Sequence, residues 1–476
     1  MNYSIIACVN LRILEGKVLK DEEPKKLFNK NYLLLWQGQF ISRLGTQFFA
    51  FAMIVWITEV YDSPSLNSLF MMLGGIPAVI FSIIGGAVAD RYRRKRIIVF
   101  TDLINGAVVL VLALLFMFAP ERQNFILIGI FAANMTAATM GAFFGPAIMA
   151  SIPELVPKKF VPTANSLGQM SRQTSMFVGQ GLGSFAYLLL GAPLLTLVNG
   201  ISYLFSAFSE SFIRIPQELP ERIKSFKPIL KSFKADISEG IKYIRQTSGL
   251  KELVFASVFI TFFSAPITVL LIFFVLDFLE VGIVWLSILL VAHGAGNLVG
   301  SLIVGITRVH GEARKFWMIL FMLLESTGYI ILALIRMPVL AAIIMFFGGI
   351  MMGFFMVNIS SILQYTVPSK IRGRVFGVLT TISGSIAPIG MGISGPLAEL
   401  LNNNIPLVYI ISGVFMILFT IWIALKKSFR DFLAYETDEE KGPTGFKYNI
   451  RMINEQENNQ MYLNETIKQM EEKYES

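Results

Sequence analysis

Twelve apolar stretches, each long enough to cross ~30 Å of hydrocarbon as a helix of ~20 residues, divide this chain into spans and connections. They cover roughly 32–59, 66–89, 97–119, 124–150, 165–190 and 193–213, then, beyond a long polar segment, 252–276, 283–307, 316–336, 338–364, 375–400 and 405–426. Backbone inside lipid must satisfy its own hydrogen bonds, which leaves helices or closed barrels as spanning structures. Spans of this length fit helices. The pattern predicts an all-α membrane protein of twelve transmembrane helices in two six-helix halves. With 54% of 476 residues hydrophobic and only 15% charged, the chain is too apolar for a soluble protein of its size.

The Lys and Arg residues sit between the spans and give the topology. Alternate connections at 90–96, 151–164, 214–251, 308–315 and 365–374 carry 5, 2, 9, 3 and 3 of them, while the five opposite connections carry only Arg122 and Arg336. Basic loops stay on the cytoplasmic side, so both termini are expected in the cytoplasm of a multi-pass cell-membrane protein. A net charge of +8 distributed in this way marks membrane topology and not a nucleic-acid surface. The expected organisation is a cytoplasmic arm at 1–30, a first half at 31–213, a linker at 214–251, a second half at 252–426 and a polar cytoplasmic tail at 427–476. The N-terminus lacks the basic, apolar and small-residue succession of a removable signal peptide, so the first span is expected to act as the targeting signal.

Within the linker, Phe226, Leu230, Phe233, Ile237, Ile241 and Ile244 recur at helical spacing beneath a basic face. Such a helix is suited either to anionic lipid headgroups or to packing under the two halves. The halves also repeat weakly. At a constant offset, Pro157 superposes on Pro368, Gly179 on Gly390 and Gly181 on Gly392, the mark of a duplicated transporter with its binding site between the repeats.

Cys8 is the only cysteine, and His293 and His310 are the only histidines. Disulfides and metal sites are therefore not expected. No phosphate-binding glycine loop is present, so ATP is not expected to drive the protein directly, and no cofactor or enzyme chemistry is anticipated. Ionisable side chains within spans are costly and are functional candidates by default: Arg43 in the first, Arg172 in the fifth, His293 in the eighth and Glu325 in the ninth. His293 and Glu325 fall at similar depth and are candidates either for a titrating pair or for packing. The tenth span, "AAIIMFFGGIMMGFFMVNISS", is rich in Met and Phe, which suits a cavity for varied lipophilic ligands as well as ordinary packing.

The stretch "GAVADRYRRK" resembles the signature of the major facilitator superfamily between its second and third helices. Gly86, Ala89, Asp90, Arg91, Arg94 and Lys95 match that signature, and Arg93 stands where a glycine is usual. Asp102 sits where many members carry a following acid. The stretches "LWQGQFISRLGTQ", "WITEVYDSPSL", "FKADISEGIKYIRQTSGL" and "RGRVFGVLTTISGSIAPIG" are similar to the branch of macrolide-efflux proteins and the enterobactin exporter.

The resemblance implies secondary active efflux of lipophilic or amphiphilic small molecules by alternating access, with the proton as coupling ion and a monomer in the bilayer. It places Arg43 on a cavity-lining helix, as a substrate or coupling residue. Arg172, among Asn165, Gln169 and Gln173, falls where a cytoplasmic gate would lie. Physically, Asp90 can cap the N-terminus of helix eleven near Gly373–Gly377, while Arg91 and Arg94 can hold carboxylates such as Asp102 or acids of the tail. The motif would then latch the outward-open state. No basic residue lies between Arg122 and Lys158, so the helix-four arginine common in drug/proton antiporters is absent, and Asn199 replaces a titratable acid in helix six. Export of a native metabolite such as a siderophore or lipid, or a sensor or scaffold signalling through the tail, are the alternative readings.

Overall fold

The computed structural model describes residues 26–217, 227–307 and 309–435. The expected arm before residue 26, the side chains of Phe226, Leu230 and Phe233, and the tail beyond residue 435 lie outside the described residues. The helices are α1 (Lys30–Tyr61), α2 (Pro64–Arg91), α3 (Arg94–Phe118), α4 (Gln123–Leu155), α5 (Val161–Ser211), α6 (Lys227–Gln246), α7 (Leu250–Val269), α8 (Val284–Thr307), α9 (Gly311–Leu334), α10 (Pro338–Thr366), α11 (Ser369–Leu400), α12 (Ile405–Ala424) and α13 (Lys427–Leu433).

Eleven helical stretches among the described residues are long and apolar enough to cross a membrane. The longest, Lys158–Ser211, folds back at Gly191, whose φ of 67° and ψ of 173° break the helix. Only glycine takes such a conformation cheaply, and Pro193 follows at once. The α5 helix is therefore two spans joined by a one-residue hinge, which brings the number of spans to twelve. Caps written in the sequence start several of the others: Asn29 accepts from the Tyr32 amide, Ser63 from that of Leu66, and Asn404 from that of Leu407.

In the first half α1 packs against both arms of α5, α3 lies on α5, and α4 sits between α2 and α3. The second half repeats the plan, with α10 between α8 and α9, α11 on α7, and α12 on α9 and α7. Two pairs of helices make most of the contact between the halves, α2 with α11 and α5 with α8, and α2 also touches α7. We call the end carrying Lys30 and Leu433 the basic end and the opposite one the distal end.

The two ends differ in how the halves meet. At the distal end one apolar core runs through both, from Phe49, Met53 and Phe70 to Phe274, Leu289 and Tyr409. Towards the basic end each half has its own core, one around Tyr32, Ile98 and Ile152 and the other around Leu253, Ile362 and Phe432. The direct contacts agree: Gly75 meets Pro388, Gly392 meets Met72, Gly395 meets the Pro64 backbone, and the Ser184 amide donates to Ser287 Oγ at 3.2 Å. All lie at mid-depth or in the distal half of their helices.

The described part of the linker helix packs against the second half. Ile237, Ile241 and Ile244 join its basic-end core, Gly240 faces Val378, and Arg374 of α11 pairs with Asp236 at 2.8 Å and with Glu239. At the other edge of this half, Arg314 is buried and donates from Nε to the Leu433 carbonyl at 2.9 Å, which docks α13.

Helices α8 and α10 touch backbone to backbone through two small-residue pairs, Gly296 with Gly300 and Gly349 with Gly353, each spaced by four. A Cβ on Gly349 would stand 2.0 Å from the His293 carbonyl oxygen, whereas one on Gly348 would meet open space. Gly349→Val is therefore expected to cost ~1–3 kcal/mol or more through overpacking, while Gly348→Ala is expected to be near neutral. Thermal unfolding of the detergent-purified variants checks this, and an unchanged Tm for Gly349→Val would contradict the tight crossing.

Candidate functional site

Three polar groups inside the bundle stand out against its apolar background. The first joins α1, α3 and the second arm of α5. Arg43 donates to Gln39 Oε1 at 2.7 Å, one turn back along α1. It lies within electrostatic reach of Arg172, Glu210 and Asp102. Asp102, which faces Ser206, is 3% exposed and Glu210 is 1% exposed. Oδ2 of Asp102 and both carboxyl oxygens of Glu210 are buried without a hydrogen-bond partner among the described residues. Beside them Thr46 Oγ1 donates to the Tyr203 hydroxyl at 2.9 Å, tying α1 to α5.

Two buried carboxyl groups thus share one nearby guanidinium that is itself only partly covered, and Arg172, exposed and bonded to Gln169, adds a second positive charge. Burying an unpaired carboxylate costs several kcal/mol. Arg43 can balance one of the two carboxyls. The sequence reading found Arg43, Arg172 and Asp102 but not Glu210, which sits one residue before the end of its helix and reads as a flanking charge. Tyr203, Ser206 and Glu210, spaced by three and four, share one face of that helix, and this spacing was the available signal.

The second group is the signature loop. Arg94 starts α3 and reaches across to α4, where Nη1 donates to Glu154 Oε1 at 2.5 Å and to the Ala150 carbonyl at 2.8 Å, while Nε donates to the Ala89 carbonyl at 3.3 Å. Its acid is Glu154 and not Asp102. Asp90 at the end of α2 is exposed, and open space surrounds Gly86, Gly373 and Gly377. The structure does not bring Asp90 onto the N-terminus of α11. Lys95 is part-exposed on the first turn of α3, next to Arg94. At the distal end a different carboxylate spans the halves: Glu399 of α11 accepts from Ser63 Oγ at 2.8 Å and from the Ser65 amide at 3.0 Å, at the start of α2.

The third group lies within the second half. His293 of α8 and Glu325 of α9 line one cavity of about 170 Å³, together with residues of α10. Glu325 Oε1 accepts from the Tyr329 hydroxyl at 3.0 Å, and no ion pair joins it to His293 among the described residues. The Met- and Phe-rich tenth span divides between roles. Phe354 and Phe355 are buried, Met345, Phe347 and Met351 line this cavity, and Met352 and Met356 are exposed.

Residues 35–390 match the Major Facilitator Superfamily. Macrolide efflux protein A of Streptococcus pyogenes is 24% identical over 386 residues, which cover 78% of this chain and 90% of that protein. The multidrug efflux pump Tap of Mycolicibacterium fortuitum is 26% identical over 359 residues, 72% of this chain and 83% of the pump. Among solved structures the nucleoside transporter NupG superposes with a TM-score of 0.64 at 14% identity, covering 84% of this chain and 100% of that one.

Proposed function

Because the chain belongs to the major facilitator superfamily of membrane transporters, we propose that it exports lipophilic or amphiphilic small molecules across the cell membrane by alternating access, driven by protons. The observation that carries this reading is the single apolar core shared by both halves distally, against separate cores at the basic end. A molecule built this way has a closed gate at one face and an opening at the other. With the basic end in the cytoplasm, as the loop charges indicate, the opening faces inward and receives substrate from the cell interior.

The export direction and substrate class draw on the similarity to the macrolide and multidrug efflux proteins. Exposed Met170, Met176 and Phe177 on the first arm of α5 offer adaptable apolar contact. In this reading Arg43, Asp102 and Glu210 couple transport to protons, Arg172 with Gln169 guards the inner opening, and Asp90 closes onto α11 when the inner ends meet. Residues 31–213 and 252–426 are the rocking halves, held by the 214–251 linker, and the monomer is the working unit.

A drug panel in an efflux-deficient bacterial host tests the proposal. Expression is expected to raise resistance to macrolides or lipophilic dyes and to lower their accumulation until an uncoupler is added. Unchanged resistance and accumulation across the panel, at normal membrane abundance, would contradict it.

A further inference from the structure

The cavity between α8, α9 and α10 is lined by residues of the second half alone, and its chemistry points to a ligand. Glu325 and His293 each lie nine residues in from the distal ends of their helices, at Leu334 and Val284, about 13 Å below that surface at 1.5 Å per residue. Of the two, Glu325 has a hydrogen bond from the neutral Tyr329 hydroxyl and no ion-pair partner among the described residues. An ionised acid at this depth is costly unless a positive charge meets it.

The rest of the wall is suited to such a charge. Tyr329 and Phe347 present rings, and Met345 and Met351 present thioethers, surfaces that attract alkylated ammonium groups. Among the lining residues Leu332 is buried, 1% exposed, while Leu324, Ile331 and Phe347 are 43%, 40% and 52% exposed. On α9, Trp317, Leu324 and Ile331 form one exposed stripe at heptad spacing, the face of an outer helix turned to lipid. The cavity therefore opens at the seam of α9 and α10 towards the bilayer.

Size narrows the ligand further. At about 170 Å³ the cavity is close to the ~150 Å³ space that admits benzene in an engineered core, so it holds a head group and not a whole drug-sized molecule. We propose that it is a binding site for single-chain lipophilic cations, with the ammonium group against Glu325 and the alkyl chain leaving between α9 and α10 into the membrane. The site deepens the export reading, on which its physiological sense rests, by naming one substrate class and a lateral route for it.

Photolabelling of the full-length protein in lipid nanodiscs tests this. One probe is a dodecyltrimethylammonium carrying a diazirine on its chain next to the head group, and the other is its uncharged isostere with carbon in place of nitrogen. Peptide mass spectrometry is expected to map the cationic probe to residues 324–351, with competition by unlabelled dodecyltrimethylammonium. The neutral probe should scatter over lipid-facing helices. Glu325→Gln is expected to lower the cationic adduct roughly tenfold or more, since it removes the counter-charge. The same adduct pattern for both probes, or no competition on the unaltered protein, would overturn the site even if Glu325→Gln failed to fold. An undiminished adduct in folded Glu325→Gln would overturn it as well. The drug panel separates the two readings: macrolide export without site-specific adducts sinks only this inference, and adducts without any export sink only the export reading.

Discussion

Asp102→Asn is expected to abolish gradient-driven export while leaving substrate binding and membrane abundance near normal. The variant keeps the size of the side chain and leaves Arg43 a partner in Glu210, so no unpaired cation is created. What it removes is a carboxyl that can exchange a proton at the centre of the α1, α3 and α5 cluster. Glu210→Gln should behave likewise. Arg43→Ala is a heavier change. It removes the nearby positive charge that two buried carboxyls share. It is expected to lower stability as well as transport, and adding Asp102→Asn to Arg43→Ala should restore abundance in part, since Glu210 still lacks its cation, without restoring export. Uphill transport in proteoliposomes, set beside energy-independent substrate exchange, measures the split. Active export by Asp102→Asn within about twofold of the parent would remove the cluster from coupling, since an essential group should cost at least ~1.4 kcal/mol, or tenfold.

The second large effect concerns the balance between the two faces. Glu399 holds the distal ends of α2 and α11 together through Ser63 and the Ser65 amide, whereas Asp90 is free of α11 in this state. The two acids are thus placed to favour opposite conformations. Glu399→Ala removes an exposed carboxylate from a helix N-terminus, worth ~1 kcal/mol or about fivefold in a conformational ratio. The population closed at the basic end should rise. Asp90→Asn should shift the ratio the other way, by weakening a cap that forms only when the basic ends meet. Spin labels on cysteines placed at the exposed Thr163 and Lys370 positions, in a Cys8→Ser background, report the separation of the halves at that end. Glu399→Ala is expected to enlarge the short-distance population and Asp90→Asn to shrink it. Identical distance distributions for Glu399→Ala and the parent would deny the distal contact any part in the switch.

Spans, duplication and the signature loop were legible because each leaves a local record. Apolar length fixes a crossing, a glycine followed by proline two residues on marks the turn at Gly191, and "GAVADRYRRK" carries its own spacing. The partnerships were not legible to the same degree. Arg94 pairs with Glu154, sixty positions away on another helix, and nothing in the loop itself says which acid it meets. Glu210 was hidden by its place at a helix end, where charge is ordinary, until α1 and α3 covered it. Distal Glu399 reads as a loop-edge acid until the structure sets it on the start of α2. The conformational state is not written in the sequence at all, since a transporter of this kind must stabilise two arrangements with one set of residues. For His293 and Glu325 the similar depth was readable from span counting, but the shared cavity and its opening between α9 and α10 depend on how the Gly349 crossing sets α10.

The most direct test of proton-driven export is a single flux experiment. Purified protein is reconstituted into liposomes with a transportable macrolide or dye outside, and an inside-acid pH gradient is imposed without sodium. Molecules inserted with the basic end outward should concentrate the substrate inside as protons leave, and collapsing the gradient with an uncoupler should release it. Accumulation that ignores the pH gradient, or that appears only with a sodium gradient, would contradict the account.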